Sequence, residues 1–165
     1  MISIFRNLNQ FAKRWKSLDA FAIFCARYLI YLLVLFLFVS AFYFHSKGLF
    51  VYPLLSGFCA AFVFDKIIYI FFKEARPATI KSTKVLIPVP KNPSFPSRHA
   101  SVMFGMSFYI FFYSYPLALI FLVCSCLIGV GRVFCGVHWF RDIVAGGLVG
   151  FLSATALFLI INLIK

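Results

Sequence analysis

The sequence predicts an all-α integral membrane protein, a bundle of about five transmembrane helices preceded by an N-terminal amphipathic helix. Three observations predict it. The 165 residues are 64% hydrophobic and only 12% charged, about half the charged fraction of an ordinary soluble domain. Mean hydropathy is +1.01. Several apolar runs reach the ~20 residues needed to cross a bilayer. No hydrophilic block is long enough for a second domain, so residues 1–165 read as one unit. It comprises an interfacial helix at 2–16 and a helical bundle at 20–163.

The N-terminal helix is predicted from "ISIFRNLNQFAKRWK" at 2–16. Ile4, Phe5, Leu8, Phe11, Ala12 and Trp15 share one face, and Arg6, Lys13, Arg14 and Lys16 lie off it. That pattern suits a helix in the headgroup layer or one packed on the ends of the spans. Its basic residues are spread through 6–17, unlike the compact start of a cleaved signal peptide.

The first span is predicted from about Ala20 to Phe44, with Ser17 or Asp19 as N-cap. After "HSKGL" a second span covers about Phe50 to Phe72 and contains Asp65 and Lys66, which as neighbours point different ways. Residues 73–98 contain Pro77, Pro88, Pro90, Pro93 and Pro96, which exclude a continuous helix. Connections this long are usually functional or disordered. The apolar "VLIPV" at 85–89 is expected to dip into the bilayer or to anchor the loop. The third span starts near Arg98 and ends before Pro116, which opens the fourth; the fifth runs from about His138 to Ile164. Gly146, Gly150 and Ala154, four apart, permit close helix contact.

Sixteen basic residues against four acidic ones leave a net charge of +12. This excess suits anionic headgroups or a phosphorylated substrate. Nucleic acid is not expected, because the basic residues lie beside spans. The five cysteines (25, 59, 124, 126 and 135) form no Cys-x-x-Cys pair, so no zinc or disulfide framework is implied.

The polar chemistry gathers in two connections on one side, 73–98 and 134–138. In "GRVFCGVHWFRD" at 131–142, His138 and Asp142 stand four apart at a helix start and so share a face. Asp142 can accept a hydrogen bond from one imidazole nitrogen and leave the other free as base or nucleophile. The alternative is a structural pair that caps the helix. Arg132 is a bidentate phosphate binder or a snorkelling interfacial residue. In "FPSRHA" Ser97 can cap a helix whose free N–H groups attract an anion. His99 would then protonate a leaving group beside it. Arg76 before Pro77 is a further phosphate ligand or a charged helix stop. Two histidines, an acid and several cations on one membrane face form the set that phosphoryl transfer needs.

Arg76-Pro77, Pro96-Ser97-Arg98-His99 and Arg132-x5-His138-x3-Asp142 together resemble the signature of the type 2 phosphatidic acid phosphatase superfamily, membrane lipid phosphatases. The resemblance spans about residues 20–163. It implies His138 as a nucleophile that forms a phosphohistidine, Asp142 as its orienting acid and His99 as proton donor. Arg76, Arg132 and Ser97 would hold the phosphate, with no metal and no other cofactor. Two positions depart from the pattern. Tyr69 stands where the family usually has a lysine, and Lys66 and Lys73 are the two candidates to substitute for it. Arg98 stands where Gly or Asp is common and is itself a candidate phosphate contact.

Size, span number and the short N-terminal helix look most like the undecaprenyl-diphosphate phosphatases of bacteria within this superfamily. Those enzymes recycle the carrier for cell-wall polymers such as peptidoglycan and confer bacitracin resistance. A glycerophospholipid phosphatase acting on phosphatidylglycerol phosphate or phosphatidic acid, and a lipid phosphotransferase, are the enzyme alternatives. A small transporter or lipid-binding subunit is the non-enzyme alternative, to which Arg27, Asp65 and Lys66 inside spans would belong. The excess of Lys and Arg on the site's side, against Lys47 and Lys165 opposite, would place the site in the cytoplasm. The resemblance implies a bacterial plasma membrane with the site facing outward. The sequence leaves the oligomeric state open.

Overall fold

The computed structural model describes residues 2–164, and side chains from residue 4 onward. Lys165, counted above on the far side, lies outside the described residues. All regular structure among them is helical: α1 (Ile2–Asn9), α2 (Lys16–Tyr43), α3 (Lys47–Phe71), α4 (Arg98–Ile110), α5 (Tyr115–Phe134) and α6 (Phe140–Ile164), with a 3-10 turn at Pro77–Thr79. Helices α2 and α3 each contain one π-helical turn, Phe24–Tyr28 and Ala60–Phe64.

Four helices, α2, α3, α5 and α6, are long and apolar enough to cross a membrane. The predicted third span is shorter than the others. Its 13 residues reach only ~20 Å at 1.5 Å per residue. This helix is the axis of the bundle, packed by α3, α5 and α6. Met103, Met106 and Ile110 on it are fully buried against Leu37 of α2 and Phe121 and Ile128 of α5. At the start of α4, Ser97, Ala100 and Ser101 are buried, and Arg98 and His99 are half-buried.

The small-residue stripe on α6 does what its spacing predicts. A Cβ added at Gly146 would lie 2.7 Å from Ala100 Cβ, and one at Gly150 would lie 2.9 Å from Phe104 Cβ. Ala154 is buried. The absence of side chains brings the backbones of α4 and α6 together, the route to helix association where solvent supplies no hydrophobic drive. Serine hydroxyls add hydrogen bonds between helices. Ser56 Oγ donates to Gly105 O (3.0 Å), Ser153 Oγ donates to Ser56 O (2.8 Å), and the Ser107 and Ser125 hydroxyls are 2.9 Å apart.

Two local expectations are corrected, and for a third one of its two alternatives holds. First, neither Ser17 nor Asp19 caps α2. Trp15 holds the N-cap position without a side-chain bond, and both Asp19 carboxylate oxygens accept from Lys13 N at 3.0 and 3.1 Å. The carboxylate is spent on the α1–α2 turn, where Lys13 has a φ of 63°. Second, α1 stops at Asn9, short of the predicted residue 16, and packs on the bundle by its inner face. Phe5 and Ala12 are buried, and the Phe5 ring lies 4.9 Å from that of Trp139. Asn9 fastens it by donating to Lys84 O and Phe134 O and accepting from Lys84 N. Third, "VLIPV" anchors the loop. Ile87 is buried with Val137 and Phe134, Val85 and Leu86 pack beside it, and Leu86 N donates to Cys135 O at 3.2 Å.

Candidate active site

The 72–97 connection, the first turn of α4, the end of α5 and the α5–α6 turn meet at one end of the bundle. Their backbones place the charged side chains that the sequence singled out. Arg76 precedes the Pro77 turn and is buried. Its guanidinium is held on both sides. Nε donates to Asn92 O (3.1 Å), Nη2 to Pro93 O (3.0 Å) and Nη1 to Val137 O (2.8 Å). Nη1 also lies 2.9 Å from His138 Nε2.

His138 is 2% exposed. Its Nδ1 faces two acceptors, Ser94 O at 3.0 Å and Asp142 Oδ2 at 3.3 Å. Its Nε2 faces a donor on Arg76. These partners assign the proton to Nδ1 and the lone pair to Nε2. Burial is the main cause that holds the His138 pKa well below its ordinary value, and the Arg132 and Arg76 charges add to it; the Ser94 carbonyl opposes them. The imidazole is therefore neutral near pH 7, and its contact with Asp142 is a hydrogen bond donated by a neutral ring. Burial also lowers the Arg76 pKa, with Tyr69 and Asp142 acting against it.

Asp142 makes the contacts of both readings. Oδ2 accepts from Trp139 N at 2.9 Å, a capping contact at the start of α6, and the same oxygen faces His138. It also accepts from Ser94 Oγ at 2.5 Å. Ser94 is fully buried, and its N donates to Glu74 O at 3.0 Å. Sequence reasoning missed Ser94. It lies in "NPSFPSR", three residues before Ser97, and no spacing rule distinguishes it from other loop serines.

Ser97 occupies the N-cap position of α4, as expected, but its hydroxyl does not cap. Its N donates to Asp142 O at 3.0 Å, and its Oγ is buried with no partner. Arg132 is 4% exposed; Nη1 reaches Ala26 O at 3.4 Å, and Nε and Nη2 have no partner. Arg98 has a buried, unpartnered Nε and stacks over the Phe62 ring with Cζ 5.5 Å from its centroid. His99 follows in the first turn of α4. Arg141 pairs with Glu74 beside this cluster.

Arg76, Ser97, Arg98, His99, Arg132, His138 and Asp142 thus converge. Lys66 and Lys73 do not: both are exposed. Tyr69 instead turns inward, donating to Pro96 O (2.9 Å) and accepting from Asn92 Nδ2 (3.1 Å). Asp65 is fully buried one turn earlier on α3, where its Oδ1 accepts from Ser101 Oγ at 2.9 Å. Every buried side-chain donor without a partner among the described residues belongs to Ser97, Arg98 or Arg132. Unpaired buried donors are costly, and these stand beside two buried carboxylate oxygens that also lack a partner, Asp65 Oδ2 and Asp142 Oδ1.

The chain is 32% identical over 159 residues to the bacitracin transport permease protein BcrC of Bacillus licheniformis, covering 95% of this chain and 78% of that one. The fold matches LpxE of Aquifex aeolicus with a TM-score of 0.72 at 25% identity, covering 95% of this chain and 93% of that one. It also matches the PAP2-type phosphatidylglycerolphosphate phosphatase of Bacillus subtilis, with a TM-score of 0.66 at 21% identity over 99% and 87% of the two chains. The pattern of the PAP2 superfamily covers residues 49–164, from α3 to the end of α6 and through all three site motifs, and the chain belongs to that superfamily of lipid phosphatases.

Proposed function

We propose that this protein hydrolyses undecaprenyl diphosphate to undecaprenyl phosphate and phosphate through a phosphohistidine at His138, without a metal ion. The carrying observation is the set of unpartnered buried donors on Ser97, Arg98 and Arg132 beside an imidazole whose Nε2 holds a lone pair. Nε2 attacks the terminal phosphorus, after exchange of its Arg76 contact for one to a phosphoryl oxygen. The bond from phosphorus to the bridging oxygen breaks, and His99 gives that oxygen a proton; burial and the Arg132 charge hold its pKa down to about 3 before substrate binds, so it takes that proton up only when the substrate's negative charge is bound beside it. The Nδ1–H of the resulting phosphoimidazolium stays hydrogen-bonded to Ser94 O and Asp142. Water then attacks phosphorus, His99 takes its proton, and the electron pair of the P–N bond returns to Nε2.

Guanidinium groups supply the positive charge that a metal supplies elsewhere. No three His, Cys, Asp or Glu side chains converge as a metal site among the described residues. The diphosphate branch is favoured by the small body, by the resemblance described above and by the bacitracin in the relative's name. The word permease in that name suggests transport, but the partnerless cations here cluster at one end of the bundle. Arg27, inside α2, lies against the Tyr28 ring, and Lys66 is exposed. Neither continues a charged path through the bundle.

The test is phosphate release by purified protein from a lipid panel in detergent. Undecaprenyl diphosphate should be turned over faster than phosphatidylglycerol phosphate or phosphatidic acid, and His138→Ala should release none. Activity in that variant ends the mechanism. Preference for a glycerophospholipid keeps the mechanism and changes the substrate. The carrier role further places the site on the outer face of a bacterial plasma membrane. A single cysteine at Ser82, with the native cysteines removed, should then react with an impermeant thiol reagent on intact cells. Labelling only after lysis would put the site inside.

A further inference from the structure

We propose that Ser94 is a positioning residue for the phosphoryl-accepting histidine, acting through its main chain and its hydroxyl at once. This rests on the assignment of His138 as nucleophile. The Nδ1 of His138 is closer to Ser94 O (3.0 Å) than to Asp142 Oδ2 (3.3 Å). The carbonyl of Ser94 is therefore the principal acceptor for the Nδ1 hydrogen and fixes the tautomer that leaves Nε2 nucleophilic. The hydroxyl of the same residue donates to Asp142 Oδ2. It holds that carboxylate oxygen beside the Nδ1 hydrogen and shares its negative charge, together with Trp139 N.

The residue is built into the site from all sides. Ser94 N is held by Glu74 O, two residues before Arg76, and the carbonyl of the preceding Pro93 accepts from Arg76 Nη2. One buried residue thereby connects the loop carrying Arg76 with both His138 and Asp142. Other titratable groups near the imidazole are Arg76, Arg132 and, on α4, His99; the two arginines act against its protonation. Removal of the Ser94 hydroxyl leaves Asp142 Oδ2 free to take a larger share of the Nδ1 hydrogen. The carboxylate then makes the imidazole more basic, and its aim at phosphorus is lost.

Ser94→Ala should lower kcat about tenfold or more, as expected for loss of a hydrogen bond to a charged group at a catalytic dyad. KM for the lipid should stay within about twofold, because Ser94 touches no substrate-facing donor. The acid limb of kcat/KM should move to higher pH. Combined with Asp142→Asn, its loss should be much less than multiplicative, since both substitutions break one unit. Ser94→Thr, which retains the hydroxyl, should recover activity relative to Ser94→Ala at matched thermal stability. If Ser94→Ala does not fold, Ser94→Cys, which nearly keeps the volume but weakens the donor, is measured with the same expectations. Unchanged kcat in a folded variant, an unmoved acid limb, or fully multiplicative losses with Asp142→Asn overturns the role. If His138→Ala is inactive while Ser94→Ala matches the parent, only the positioning role fails. If His138→Ala is active, the nucleophile assignment has failed first.

Discussion

Arg76→Lys removes the least replaceable group of the site while keeping its charge. The guanidinium reaches the carbonyls of Asn92, Pro93 and Val137 and the Nε2 of His138 with three different nitrogens. A lysine ammonium is a single point and cannot serve both the 92–93 side and the 137–138 side. One or two carbonyls lose their donor, at about 1–3 kcal/mol each, so about 1–6 kcal/mol of stability is at risk. The phosphoryl group also loses a planar donor, a change that costs about 10²–10³ in kcat at comparable oxyanion sites. The assays are thermal unfolding in detergent and phosphate release from the same preparation. Both the midpoint and kcat/KM should fall. The reasoning is refuted by a lysine variant that melts with the parent and keeps about a tenth or more of kcat/KM. Positive charge alone would then be the requirement, and the fork geometry would be incidental.

The pH dependence follows from the direction of the His138 shift. Its folded pKa lies well below the ordinary value, so the unfolded chain binds the extra proton first. The stability associated with neutral His138 is present above ~6.5 and is lost as pH falls from there toward the folded pKa. His138→Gln should flatten that part of the unfolding profile, and the parent's kcat/KM should show no His138 limb above ~6.5. Activity should persist in excess EDTA and be inhibited by vanadate, a mimic of five-coordinate phosphorus; a strict magnesium requirement would count against the guanidinium site. Lys66→Met and Lys73→Met should leave phosphate release nearly unchanged, whereas Arg98→Ala should lower it about tenfold or more. The reverse ranking would return the role to a lysine.

Fold class and the main site were legible because each rests on a strong local signal. Apolar runs separated by Pro-rich or short polar connections mark spans, and His138 and Asp142 at four-residue spacing must share a face. The stripe of Gly146, Gly150 and Ala154 predicts a close crossing without naming the partner, which proves to be α4. What the sequence hid was long-range placement. Nothing in "NPSFPSR" shows that one serine reaches across 48 positions to Asp142. Nor does periodicity show that α4 would be short and central, because a short apolar helix and a full span share a pattern until their neighbours are known. The cap of α2 was misplaced because Asp19 had a competing partner in the Lys13 backbone.

The two departures from the family signature lie on facing surfaces and read as a single rearrangement. Phe62, Asp65 and Tyr69 stand at i, i+3 and i+7 on α3, so they form one stripe. Each meets the start of α4 or the residues just before it. Phe62 lies under the Arg98 guanidinium, Asp65 accepts from Ser101, and Tyr69 donates to the Pro96 carbonyl two residues before Arg98. A lysine at 69 would bring a cation from α3. Here that position holds the loop with a phenol, and the cation comes from α4 itself at Arg98. Its Nε is buried and free of protein partners, and the Phe62 face supports the rest of the guanidinium. A glycine at 98 would leave that stripe without its charge. The tyrosine and the arginine therefore make sense as a pair, and under the proposed mechanism neither exposed lysine is needed to hold the phosphate.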